Sequence, residues 1–210
     1  LFSWIFLGGK CRYCKAPISP RYPIVEALNG IAYVLVYLFL CGGYAIEGLS
    51  LKLVGYMIMM SALIVVSWID FEHQIIPDSM WIAIFVGGLF IVGNALLTDT
   101  FTKEWIISKI IGLFAVSGLF FLVALVTGGR AMGGGDIKLM AAAGLLIGWQ
   151  NIVVALCLGC VLGSIIHVTL MIVLKKERML AFGPYLSLGI FLAMLYGKPL
   201  FDWYVSLIVG

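Results

Sequence analysis

Two aspartates stand out from an otherwise apolar chain. Asp70 lies in Ser67-Trp68-Ile69-Asp70-Phe71-Glu72-His73, directly at the end of an apolar run. Asp136 lies in Gly133-Gly134-Gly135-Asp136-Ile137-Lys138, between the end of one run and the start of the next. A carboxylate at that depth is costly unless it is paired or faces a polar cavity. A plain helix-ending role for Asp70 would place a negative charge at a helix C-terminus, which is the wrong sign for the macrodipole. Asp136 taken alone reads as an ordinary N-cap. An N-cap hardly needs three glycines, though, which let backbones approach closely and permit positive φ. A phosphate cradle would need a GK[ST] ending and a preceding strand, and neither is present. If a helix bundle brings the two carboxylates face to face, they cannot both ionise easily, so one holds a proton while the other acts as a base. Such a pair activates a water against a peptide carbonyl and protonates the leaving amine, with no covalent intermediate. The chain has no HExxH, no GxSxG and no cysteine with an obvious histidine partner.

The elements that must position this pair follow from composition. The chain has 210 residues; AVILMFWYC account for 63%, 25 more are glycine, and only 11% are charged. A soluble surface needs about 25% charge. This is therefore an integral membrane protein whose partner is the lipid bilayer; a soluble enzyme, a nucleic-acid binder and a disordered tail are excluded. About 20 apolar residues cross a bilayer core. The runs Ile24–Cys41 (ending at Gly42-Gly43), Leu51–Ile69, Ser79–Leu97, Trp105–Thr127, Ile137–Trp149, Ile152–Leu174 (stopped by Lys175-Lys176-Glu177-Arg178) and Leu180–Tyr196 give seven spans, the fifth short. The expected fold is all-α, a polytopic transmembrane bundle, with an N-terminal Cys-containing segment over 1–23 and the transmembrane domain over 24–210.

Lys and Arg set the orientation. Lys10, Arg12, Lys15, Arg21, Arg130, Lys138, Lys175, Lys176 and Arg178 fall on one side; Lys52, Lys103, Lys109 and Lys198 fall on the other. Nine against four makes the first side cytoplasmic. The same alternation puts Asp70–Asp78 and Gly128–Asp136 on that side, with four of the ten acidic residues and one of the two histidines.

At this point the motifs combine. Gly133-Gly134-Gly135-Asp136 fits a GxGD motif, and Ile69-Asp70 with Ile76-Pro77-Asp78 fits its companion. Cys11-Arg12-Tyr13-Cys14-Lys15-Ala16-Pro17-Ile18-Ser19-Pro20-Arg21-Tyr22-Pro23 and the late Phe182-Gly183-Pro184-Tyr185 fit in the same order. The chain resembles the bacterial type 4 prepilin leader peptidases, bifunctional aspartic peptidase/N-methyltransferases of the inner membrane. The resemblance implies cleavage of the basic leader from prepilins or pseudopilins at the cytoplasmic face. It also implies N-methylation of the new terminus from S-adenosylmethionine, with Asp70 and Asp136 as the catalytic pair. Gly133 and Gly135 would shape the loop.

The remaining candidates each keep two readings. Lys138 lowers the Asp136 pKa or binds substrate or a lipid head, or it simply snorkels. Asp78 starts a helix or joins the site. Glu26 is a first-turn carboxylate, or a contact for the basic leader or the free amine of the mature pilin. Cys11 and Cys14 are half of a zinc site, since structural zinc wants four ligands, or a loose loop without metal. Family members commonly have eight spans and two CxxC pairs, so a first helix and first CxxC are expected to precede Leu1. Cys157 and Cys160 share the CxxC spacing but lie mid-helix, where helix packing beside Gly159 and Gly163 is the expected role. His73 reads as a solvated interfacial residue and His167 as a helix-to-helix hydrogen-bonding group. The rival to the peptidase is a small ion- or proton-coupled transporter that uses the two aspartates as a relay.

Overall fold

A computed structural model describes residues 1–40, 50–174 and 181–209. The expected helix end at Cys41–Gly43 and the basic stop at Lys175–Arg178 lie outside the described residues. The described residues are helical with no strand: α1 (Phe2–Phe6), α2 (Arg21–Leu40), α3 (Leu51–His73), α4 (Asp78–Leu97), α5 (Lys103–Ala115), α6 (Ser117–Val126), α7 (Gly134–Ile147), α8 (Trp149–Leu174) and α9 (Gly183–Val209). Contacts divide the chain into two compact units, Leu1–Ala45 and Ile46–Gly210.

Among the described residues five stretches are long and apolar enough to cross a membrane: Arg21–Leu40, Leu51–His73, Asp78–Leu97, Lys103–Val126 and Trp149–Thr169. They cover five of the seven expected spans. The fourth is α5 and α6 together, interrupted only at Val116. The other two expected spans differ in kind. α7 has 14 residues, about 21 Å at 1.5 Å per residue, short of the ~30 Å core. α9 has 27 residues but carries Lys198, Pro199 and Asp202 within its length.

In the first unit, the chain between α1 and α2 folds back on itself. Lys10 bridges Pro17, Cys11 N–H donates to the Ala16 carbonyl at 2.8 Å, and Ile18 N–H donates to the Gly9 carbonyl at 2.7 Å. Lys15 takes the left-handed φ of 58° that closes the turn. Trp4 Nε1 reaches the Ile18 carbonyl at 3.0 Å and ties α1 to the turn.

The second unit is built around α7, which packs against α4, α5, α6, α8 and α9. Burial on many sides explains both its shortness and its lack of a polar stripe: Leu139, Met140, Ala142, Ala143, Gly144, Leu146 and Ile147 are all buried. In lipid no hydrophobic force separates helix from tail, so small residues that admit close backbones decide where helices meet. Three such crossings hold the unit. Gly55 of α3 meets Gly87 of α4, Gly112 of α5 meets Gly144 of α7, and Gly189 of α9 meets the Ala155 carbonyl and Gly159 of α8. In each, a side-chain carbon would overlap a backbone atom of the partner. The outward residues of these helices are large and apolar, among them Phe114, Leu122, Val126, Ile165 and Ile172, as a lipid-facing surface requires.

On α8, Gly159 and Gly163 press on Tyr185 and Leu186 of α9, while Cys157 and Cys160 stand on the exposed side. The packing role expected there belongs to the glycines, and the cysteines take no part in it.

Gly144→Ala is expected to destabilise the protein by roughly 1–3 kcal/mol, the usual cost of overpacking, because the opposing atom is backbone and cannot give way. Gly118→Ala, whose new carbon meets nothing within 4 Å, is expected to leave stability unchanged. Thermal unfolding of the two variants in detergent checks the contrast.

Candidate active site

α3 points Asp70 inward. Met59, Leu63, Val66 and Asp70 recur at spacings of four, three and four, one face of a helix, and all are buried; Asp70 is only 6% exposed. Phe71, Glu72 and His73, on the other faces, are exposed. The helix stops immediately beyond: Gln74 takes a left-handed φ of 55°, and its N–H returns to the Asp70 carbonyl at 2.9 Å.

A buried carboxylate needs a donor, and α9 supplies it. Gly183, the first residue of α9, donates its backbone N–H to Asp70 Oδ2 at 2.9 Å. The charge disfavoured by its own helix end is thus accepted by the positive end of another. Gly183 is needed there for space, since a side-chain carbon would stand 2.7 Å from Oδ2 and 2.9 Å from Cγ. In the sequence Phe182-Gly183-Pro184-Tyr185 stands out only as a motif, with no role for Gly183. The available signal was the Gly-Pro pair, because proline in a first turn marks a helix N-terminus, where unpaired N–H groups seek an anion.

Asp136 sits in the first turn of α7, ahead of the apolar run that begins at Ile137. It is not the N-cap; Gly133 holds that position. Asp136 is the third helical residue, and its carboxylate lies beside Gly133 at the helix start, with Oδ2 3.3 Å from where a Gly133 side-chain carbon would stand. The glycines serve close approach rather than unusual angles. Gly133 has φ −74°, and positive φ in this region occurs at Gly128 and Gly129, which end α6. A side-chain carbon on Gly135 would stand 2.8 Å from Ile76 Cβ, so this glycine lets α7 start directly against the α3–α4 loop.

That contact and an ion pair bind the two aspartate-bearing segments together. Lys138 Nζ donates to Asp78 Oδ1 at 2.6 Å, and Trp81 Nε1 donates to the same oxygen at 3.0 Å. Both charged side chains are more than half exposed, so the pair adds little stability while fixing register between the segments. Lys138 therefore faces Asp78 and not Asp136. Asp78 begins α4 and belongs to the strap beside the aspartates.

The two carboxylates feel each other. Burial first, and then the negative charge of Asp70, push the Asp136 carboxyl up to about 6, against the opposing pull of the Gly133 N–H. Two carboxyls at one end of a bundle, one inclined to keep its proton, are suited to general acid–base chemistry on a bound water.

Glu26, Cys11 and Cys14 belong to the first unit. Glu26 is exposed on α2. In the turn after α1, the N–H groups of Cys14 and Tyr13 and the Cys14 thiol draw the Cys11 thiol below its usual range. That favours a thiolate, but it supplies two ligands where structural zinc takes four. Among the described residues no three His, Cys, Asp or Glu side chains gather to hold a metal. The described residues do not make a zinc site.

Comparison with known proteins agrees with the motif resemblance. Residues 57–168 match the type IV leader peptidase family, and residues 1–40 match the bacterial peptidase A24 N-terminal domain. A prepilin leader peptidase/N-methyltransferase of Aeromonas hydrophila is 31% identical over 208 residues, covering 98% of this chain and 69% of that protein. One from Stutzerimonas stutzeri is 33% identical over 210 residues, with the same coverage. One from Pseudomonas aeruginosa is 30% identical over 210 residues. No solved structure matches. Nothing in these matches supports the transporter reading. Asp70 and Asp136 both fall inside the matched peptidase region, and Gly183 lies beyond it. This chain belongs to the type IV leader peptidase family.

Proposed function

We propose that the protein is a prepilin leader peptidase in which Asp70 and Asp136 together activate the hydrolytic water. The observation that carries this reading is the buried Asp70 carboxylate, held on Oδ2 by the Gly183 N–H, with its charge helping to raise the Asp136 carboxyl. With one proton on the pair, the ionised carboxylate takes a proton from water as the oxygen attacks the scissile carbonyl. The protonated one then gives its proton to the departing nitrogen as the C–N bond breaks. The products are a carboxylic acid and a free amine. The pair titrates as a unit, so the acid and base roles belong to the couple.

The names of the relatives and the apolar helices support the rest. The substrate would be a prepilin or pseudopilin, itself a membrane helix. Its leader would meet the aspartates at the cytoplasmic face of the inner membrane, a side that the Lys and Arg bias supports. The relatives are also named N-methyltransferases, and on that reading S-adenosylmethionine supplies the methyl group for the new N-terminus. Exposed Glu26 then serves the leader or the new amine, while the carboxylate pair provides both proton transfers of hydrolysis.

Purified protein in detergent with a prepilin tests the reading. Asp70→Asn and Asp136→Asn are each expected to lower cleavage by at least about a thousandfold, within the range assigned to a lost general acid or base, while insertion stays normal. Substantial cleavage by either variant would overturn it. Gly183→Ala is expected to abolish cleavage with α9 intact, because the added carbon displaces the Asp70 carboxylate; unchanged kcat would remove Gly183 from the site.

Protonation predicts a stability effect of definite sign. A carboxyl whose folded pKa is raised binds its proton more tightly in the folded chain. That stabilisation is complete below about pH 4 and is lost as pH rises through about 6. Asp136→Asn is therefore expected to melt higher than wild type at pH 8, by a few degrees, and to match it at pH 4. Melting curves in detergent at the two pH values check this.

A further inference from the structure

A hydroxyl buried in the bundle has no partner. Among the described residues two buried side-chain polar atoms lack a hydrogen bond, Asn151 Oδ1 and Ser187 Oγ, and Ser187 is only 3% exposed. Other hydroxyls in these helices return to the carbonyl four residues earlier, a common arrangement for serine and threonine inside a helix. Ser67 donates to Leu63 at 2.8 Å, Thr127 to Val123 at 2.7 Å and Thr169 to Ile165 at 2.6 Å. For Ser187 that carbonyl belongs to Gly183, and the bond is not made. The neighbouring helices offer no substitute. α3 and α7 both pack on α9, and one turn in from their aspartates they carry Val66 and Met140, fully buried and apolar. A buried hydroxyl left dry and unpaired is costly, and a bound water is one of the ordinary explanations for such a group.

Helix geometry says what else that water would touch. Gly183 and Ser187 are four residues apart on one face of α9, where side-chain carbons stand about 5–6 Å from each other. The place of the missing Gly183 side chain is taken by the Asp70 carboxylate, since a carbon there would lie 2.7 Å from Oδ2. Asp70 therefore stands to Ser187 as a side chain of α9 one turn earlier would. Side chains lean toward the N-terminus of their helix, so the hydroxyl is directed along α9 toward that carboxylate. No direct bond joins the two, but two hydrogen bonds through one water span about 5.5 Å. We infer that Ser187 is a positioning residue for Asp70, its hydroxyl and the Asp70 carboxylate sharing one buried water. The Gly183 N–H then holds the carboxylate at the helix start, and the water holds it from within the bundle. Two tethers keep its plane fixed where one would leave it free to turn.

The test begins without substrate, as a double-mutant cycle read by thermal unfolding of the full chain in detergent. Ser187→Ala is expected to lower the melting temperature of the wild type by about 2–4 °C. In Asp70→Ala, where the water has lost its second partner, the same change is expected to leave the melting temperature unchanged or raise it. Asp70→Asn is the second background if Asp70→Ala does not fold, and a smaller fall is expected there than in the wild type. An equal change in both backgrounds overturns the shared water: an equal fall makes Ser187 purely structural, and an equal rise makes its hydroxyl idle. The effect on rate rests on the peptidase reading. With a prepilin, Ser187→Ala is expected to lower kcat roughly tenfold, the worth of one hydrogen bond to a charged group, with KM unchanged. Ser187→Thr, which keeps the hydroxyl, is expected to restore most of the rate. Unchanged kcat in Ser187→Ala, a loss carried by KM, or an equal loss in both variants would overturn the positioning role. If the wild type cleaves no prepilin, the peptidase reading fails and the melting cycle still decides Ser187.

Discussion

The hydrogen bond from Gly183 to Asp70 sets the terms for the rest of the bundle. A carboxylate six per cent exposed at a helix C-terminus is doubly disfavoured, by burial and by the dipole of its own helix. It is tolerated because α9 begins beside it with an unpaired N–H and no side chain. This requirement places the start of α9 against the end of α3, and from there much of the packing follows. α8 must lie beside α9, and the Gly159–Gly163 face serves that contact. α7 then occupies the middle, where its first turn brings Asp136 to the same end.

The second aspartate is positioned by different means. Asp136 lies beside Gly133 in the first turn of its own helix, and α7 is held against the α3–α4 loop by Gly135 on Ile76 and by Lys138 on Asp78. One carboxylate is therefore fixed by a distant segment and the other by a local turn. Their environments differ accordingly, which is the condition under which two chemically identical groups take different protonation states.

Much of this was legible in the residues. Composition gave the membrane class, the apolar runs gave α2 to α8 to within a few residues but neither α1 nor the continuation of α9 from Tyr196 to Val209, and the motif spacing singled out Asp70 and Asp136. The burial of Asp70 was also encoded, in the spacing from Met59 through Leu63 and Val66, but helices this apolar all round carry no polar stripe to reveal which face turns inward. The partner of Lys138 was not legible, because Asp78 lies 60 positions away and only the fold brings the two together. The role of Gly183 stayed hidden for the same reason, at a separation of 113. The unusual character of α7 was half visible: its shortness could be counted, but its central position depends on which helices surround it.

The glycine crossings have a mechanical consequence. Helices that touch backbone to backbone at one point are hinged there like the blades of scissors, and motion at the tips grows with distance from the pin. Gly55 lies 15 residues from Asp70, and Gly144 lies 8 from Asp136, lever arms of about 22 and 12 Å. At the longer arm, a tilt of about 5° about the α3–α4 pin displaces the Asp70 end by about 2 Å. Glycines two to four turns from the chemistry thus bear on the gap between the carboxylates, and side chains added near the pins would reach the catalytic end magnified.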